Sequence, residues 1–288
     1  MPAPRISFEF FPPQTLDASF RLWETAQMLA PLKPSFVSVT YGAGGTTRKL
    51  THEAVTALHA NFGLNVAAHL TCVEATRDET LEIAASYAEA GVAEIVALRG
   101  DAPQGADRFT AHPDGFASSV ELIAALADTG RFRIRAGAYP EAHPDAADMA
   151  ANVAWLKRKI EAGASSAITQ FFFEAETFFR FRDACAAAGI DAPIIPGILP
   201  ITSWAGAKRF AGRCGTTVPA WLDDAFAHAV RDGREQLLAI AIATELCDDL
   251  LQGGVEDLHF YTLNRPHLTR DICHALGITP EVVLEKVA

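Results

Sequence analysis

Glu9 is a lone carboxylic acid among Phe8, Phe10 and Phe11. Aromatic surroundings disfavour a carboxylate and raise its pKa, which suits a general acid near neutral pH. The bland alternative is a glutamate paired with an arginine such as Arg99 and serving only the fold. The residues alone leave both readings open. Glu9 has company. Polar side chains interrupt apolar runs late and in one parity: Ser7 before Glu9, then Ser38 and Thr40, His69 and Thr71, Arg99 and Asp101, Arg135 and Tyr139, Gln170, and finally Thr262, Asn264 and Arg265. Each alone reads as structural. Together they imply a pocket, because burying polar groups is costly unless they are paired.

Other chemistries fit less well. His52, Glu53 and His59 miss the HExxH spacing, since the second histidine is seven residues on. His143, Asp145 and Asp148 fall at a helix start, where aspartate simply caps. No metal site is therefore expected. The run Lys157-Arg158-Lys159 either complements a helix C-terminus or holds a phosphate-bearing cofactor.

These side chains need a frame. Strand-like runs occur at 6–11, 36–41, 66–72, 94–100, 134–139, 166–173, 193–199 and 258–264. Helical spacing covers 16–30, 47–61, 77–90, 115–128, 145–162, 175–188, 203–212, 219–229, 233–252 and 266–276. Thr76 and Glu79 form a capping box, and Gly91, Gly163 and Gly189 stop helices. Eight strands alternating with helices predict a parallel sheet, and the expected fold is α/β: a single-domain (β/α)8 TIM-type barrel over 1–288, with its site at the C-terminal strand ends. A doubly wound sheet should carry a nucleotide fingerprint after its first strand. Gly42-Ala43-Gly44-Gly45 follows the second and lacks the third glycine.

Composition narrows the partners. Twenty-four Lys and Arg against 35 Asp and Glu give a net charge of −11, which excludes bulk attraction to nucleic acid or an anionic membrane. An anionic ligand must be held by local cations. With half the residues hydrophobic, 20% charged and a mean hydropathy of +0.13, disorder is not expected. Five scattered cysteines without a CxxC fit reduced thiols in a cytosol. No leader and no apolar run approaching a membrane span is evident, so a cytoplasmic protein is expected.

Nine strings run in order: SFEFFPP (7–13), PSFVSVTYGAGG (34–45), HLTC (69–72), IVALRGD (95–101), AYPEAHP (138–144), LKRKIEAGA (156–164), AITQFFF (167–173), IIPGILP (194–200) and FYTLNR (260–265). Together they resemble the methylenetetrahydrofolate reductases, flavoproteins of folate metabolism, in their short catalytic form. The resemblance implies a TIM barrel with FAD at the C-terminal strand ends. It implies ping-pong reduction of 5,10-methylenetetrahydrofolate to 5-methyltetrahydrofolate by NADH or NADPH, in a homo-oligomer (dimer or tetramer). By position, Glu9 is then the acid that protonates folate N10, and Asp101 the carboxylate beside flavin and pterin. Gln170 contacts the pterin, Phe210 shifts between substrates and Arg265 meets the glutamate tail. FAD falls to Thr40, Tyr41, Ala43, His69, Arg99, Gly100, Asp101, Phe116, Ala117, Tyr139, His143, Asn152, Arg158 and Lys159. Asn152 stands where the family pattern has Asp, Phe116 where a Tyr is common, Trp155 for an Asn and Gly206 for a folate-touching Gln. The step from 193 to 258 is about twice the others and holds extra helices, read as an insertion closing the folate side. The alternatives are a flavin-free, pterin-dependent methyltransferase-like barrel and a non-catalytic folate or flavin binder.

Overall fold

Alternation along the strands decides the architecture. One face of each strand is apolar and meets helices; the other points into a shared interior. The strands are β1 (Arg5–Phe10), β2 (Phe36–Val39), β3 (Val66–Thr71), β4 (Glu94–Leu98), β5 (Arg133–Ala138), β6 (Ser166–Phe171), β7 (Ile194–Ile198) and β8 (Asp257–Tyr261). All neighbours pair in parallel, and β8 pairs with β1, so the sheet closes into an eight-stranded barrel. The computed structural model describes residues 3–41, 48–101, 109–143 and 145–280.

The helices are α1 (Leu16–Leu29), α2 (Arg48–Phe62), α3 (Arg77–Glu89), α4 (Ser119–Asp128), α5 (Met149–Glu161), α6 (Ala175–Ala187), α7 (Trp204–Cys214), α8 (Ala220–Arg231), α9 (Glu235–Gln252) and α10 (Pro266–Ala275). The Thr76–Glu79 capping box is present at α3. Two helices begin later than their sequence spacing suggests. Ser118 and Asp148 hold extended backbone, at φ −156° and −163°, and their side chains accept from Glu121 N–H and Ala151 N–H. A cap of this kind ends the non-helical approach at that residue. Asp148 is therefore spent on α5.

Three helices lie between β7 and β8, as the long step predicts. Of these, α9 packs between α6 and α10 and completes the outer ring. The additions are thus α7 and α8.

Phe36, Ala67, Val96, Ile168 and Ile195 fill the barrel interior. Below them, Arg135 ties the N-terminal strand ends together. Its Nε donates to Glu94 Oε2 at 2.7 Å and its Nη1 to Ser166 Oγ at 3.0 Å, while its guanidinium lies 3.8 Å from the centre of the Phe36 ring. Arg135 therefore belongs to the end opposite the expected rim. At the C-terminal end the ladders stop early, at Val39, Leu98 and Phe171, which leaves Thr40, Tyr41 and Arg99 to Asp101 on loops above the barrel.

Candidate active site

Glu9 is the last inward residue of β1, in register with Ser38 on β2 and Tyr261 on β8. Phe8 and Phe10 alternate to the outer face and join the helix-packed core. The dry surroundings of Glu9 are thus the barrel interior, not its aromatic neighbours in sequence. Its side chain is 14% exposed, and burial pushes its carboxyl up to about 8. His69 Nε2 lies 3.5 Å from Glu9 Oε2, and burial pushes that imidazole down to about 3. Both groups are neutral at pH 7, so the contact is no ion pair. Arg99 bonds Asp145 instead, Nη1 to Oδ2 at 2.8 Å.

On β8 the residues facing inward are His259 and Tyr261, which the sequence reading passed over in favour of Thr262 and Asn264. Tyr261 donates its phenol to the Thr169 carbonyl at 2.6 Å. Gly197 makes room for this. A Cβ there would lie 2.2 Å from the Thr169 carbonyl oxygen and 2.5 Å from the Tyr261 ring. His259 Nδ1 meets Ser7 Oγ at 2.8 Å, and its ring stacks on Phe36. Counting by twos from apolar Leu258 sets 258 and 260 on the outer face and leaves His259 and Tyr261 pointing inward.

Between Ile168 and Phe171 the β6–β7 register shifts. Gln170 sits in that irregularity, half-buried, its Oε1 accepting from Phe171 N–H at 3.0 Å. Bulges commonly re-aim side chains beside active sites. The Phe171 ring stacks on Phe210 of α7 at 5.1 Å, on the helix-packed side of β6. Arg265 lies apart from this cluster. It is exposed, donates to Thr202 Oγ1 at 3.2 Å, and lines a separate cavity of about 460 Å³ with Ile201, His267 and Leu268.

A second cavity, about 430 Å³, opens between the ends of β3–β5 and α5. Tyr41, Arg99, Gly100, Asp101, Tyr139, His143, Asn152 and Lys159 line it, and Trp155 adds a wall. Lys159 is 7% exposed and donates to the Gly137 carbonyl at 2.7 Å. No carboxylate among the described residues pairs with it. Burial, then the Arg99 charge, pushes its ammonium down to about 8. A buried ammonium with two unused donors fits an anionic group such as a phosphate. Gly100 adopts φ +87°, and a Cβ there would lie 2.4 Å from Val73 Cγ2, so only glycine fits this turn. Asn152 braces the loop after β5, donating to the Tyr139 carbonyl at 2.7 Å and accepting from His143 N–H at 3.3 Å. An aspartate could not make the first bond.

The remaining expected cofactor residues are placed elsewhere. Thr40 is at the rim, its carbonyl held by Thr51 Oγ1. His69 faces Glu9. Phe116 is core, 1% exposed, with the Arg77 guanidinium 4.8 Å above its ring. Ala117 is exposed at the approach to α4, and Arg158 is exposed over the Trp155 ring at 4.6 Å. Ala43 lies outside the described residues.

Residues 2–277 match the family model for methylenetetrahydrofolate reductase. The 5,10-methylenetetrahydrofolate reductase of Escherichia coli (strain K12) is 45% identical over 276 residues, covering 96% of this chain and 91% of its own length. Methylenetetrahydrofolate reductase (NADH) 1 of Arabidopsis thaliana is 35% identical over 288 residues, covering 96% of this chain and 48% of its own. Among solved structures, an uncharacterised Clostridium thermocellum protein that binds two copies of 5-methyl-5,6,7,8-tetrahydrofolic acid shares the fold. It has a TM-score of 0.61 at 16% identity and covers 96% of this chain and 95% of its own.

Proposed function

The chain belongs to the methylenetetrahydrofolate reductase family, and from that premise we propose that it reduces 5,10-methylenetetrahydrofolate to 5-methyltetrahydrofolate in a ping-pong cycle, using FAD and NADH or NADPH. The observation that carries the reading is Glu9: a buried carboxyl facing inward at the last ladder pair of the barrel, beside His69, with a cation-lined cavity at the same C-terminal end. FAD, when bound, supplies the two-electron hydride chemistry that side chains lack. In this reading Lys159 and Arg99 hold its phosphates, and Gly100, Tyr139, His143, Asn152 and Trp155 shape the walls. A polyanionic dinucleotide answers the unused donors of Lys159, so the residues fit the group.

The folate side of this reading rests on the family resemblance. Glu9 gives its proton to N10, opening the five-membered ring to the iminium that accepts hydride. Asp101 stabilises that cation and pairs with the pterin. Gln170 orients the pterin edge, Phe210 gives way between substrates, and Arg265 meets the glutamate tail at the outer cavity. The protein acts in the cytoplasm as a homo-oligomer, which sedimentation will test.

Anaerobic half-reactions are the direct trial. Glu9→Gln should abolish oxidation of the reduced enzyme by the folate yet leave flavin reduction by NADH intact. Loss of both together would sink the role given to Glu9. Running both pyridine nucleotides in the first half-reaction decides between NADH and NADPH. A flavin-free methyltransferase would not need Lys159, so its substitution separates the two readings.

A further inference from the structure

The last ladder pair closing the barrel is Glu9 with Tyr261. Beyond it the backbone pairing weakens: Thr262 N–H reaches the Glu9 carbonyl only at 3.4 Å. Side chains take over. Thr262 Oγ1 donates to the same carbonyl at 2.6 Å. The Asn264 amide accepts from Phe11 N–H and donates to the Phe11 carbonyl, both at 3.0 Å, as a neighbouring strand would. Thr262 Oγ1 in turn accepts from Asn264 N–H at 3.2 Å. Leu263 and Asn264 hold φ +51° and +50°, a left-handed pair that turns the amide back towards β1. Asparagine tolerates this region better than most residues.

We propose that Thr262 and Asn264 are positioning residues for Glu9: their clasp fixes the backbone from Glu9 to Phe11 and keeps the carboxyl inside the barrel as a proton donor. The inference rests on Glu9 being the general acid. On the β2 side, Thr40 N–H holds the Phe10 carbonyl at 2.9 Å; the clasp supplies the β8 side. Pro12 and Pro13 follow and have no N–H with which to prolong the ladder. Among the described residues, the titratable groups facing Glu9 are His69 from β3 and Tyr261 from β8, with His259 one pleat below, and burial disfavours the charged form of each. Exclusion of water therefore decides the state of Glu9. A slackened clasp admits water and favours the carboxylate.

The test uses the holoenzyme with Asn264→Gly, which tolerates the backbone angle and removes the amide, and with Thr262→Val and Thr262→Ser. Difference infrared titration against Glu9→Gln reads the Glu9 carboxyl directly. In Asn264→Gly and Thr262→Val its midpoint should fall by at least about one pH unit. The folate half-reaction near pH 7.5 should then slow about tenfold, with the decline in its pH profile moving acidward. Flavin reduction by NADH should stay within about twofold, and Thr262→Ser should behave as wild type. An unmoved carboxyl midpoint in folded Asn264→Gly and Thr262→Val, or an equal fall in both half-reactions, overturns the clasp. A fully active Glu9→Gln defeats the acid reading alone, and the carboxyl titration still decides the clasp.

Discussion

In the proposed role of Glu9, one buried side chain couples chemistry to stability. Its carboxyl is held above the ordinary 4.5, at about 8, so folding favours the protonated form. Stability must then be lost as pH rises through that window, because the unfolded chain releases its proton first. Glu9→Gln imitates the neutral acid. Its Tm should match wild type near pH 5 and exceed it near pH 9, a comparison scanning calorimetry makes directly. In the wild type, the folate half-reaction should be flat below about pH 8 and fall above it. Lys159 poses the inverse case. Removing its charge with Lys159→Gln should weaken FAD binding about ten- to hundredfold, read by flavin fluorescence titration. The chemical type of Glu9 was legible in the sequence, but its surroundings were not. Phe8 and Phe10 turn outward, and Tyr261 was hidden because its polar neighbours at 262 and 264 suggested the other parity.

Elements place these side chains through a few local exceptions to regularity. The alternation of strands and helices, and even the surplus between β7 and β8, could be read from periodicity and spacing. The shift between Ile168 and Phe171 could not, since a register change depends on the partner strand rather than on β6 itself. Helix starts were missed for a related reason: Ser118 and Asp148 cap through bonds to backbone three residues on, which periodicity alone does not weigh. Gly197 pairs with Phe171 where the register resumes. Gly197→Ala forces a methyl against the Thr169 carbonyl and the Tyr261 ring. It should cost about 2–4 kcal/mol in urea unfolding and disturb the Tyr261 bond.

Across the whole molecule, the proposed site and the buried Arg135–Glu94 pair occupy opposite ends of the barrel. Glu9, Tyr261 and Lys159 lie at the C-terminal end, while Arg135 and Glu94, with side chains 5% and 7% exposed, lock the other. Arg135→Met alone strands a buried carboxylate and should cost about 3–5 kcal/mol by chemical denaturation, whereas Arg135→Met with Glu94→Leu should recover most of that. Flavin affinity should be unchanged in the double variant, since the cavity beside α5 lies at the far end. The seam between β1 and β8 carries a consequence for time as well as space. Asn264 and Phe11 are 253 residues apart in the chain, so the acid is synthesised long before the side chain that clasps its strand. At roughly 5–20 residues per second, the ribosome leaves Glu9 without its partner strand for about 13–50 s. A nascent chain halted before β8 carries the residues lining the cavity beside α5 but has no closed barrel to keep Glu9 dry. Truncation near residue 255 should therefore yield a chain unable to carry out the folate half-reaction, which stopped-flow oxidation of the reduced protein would read.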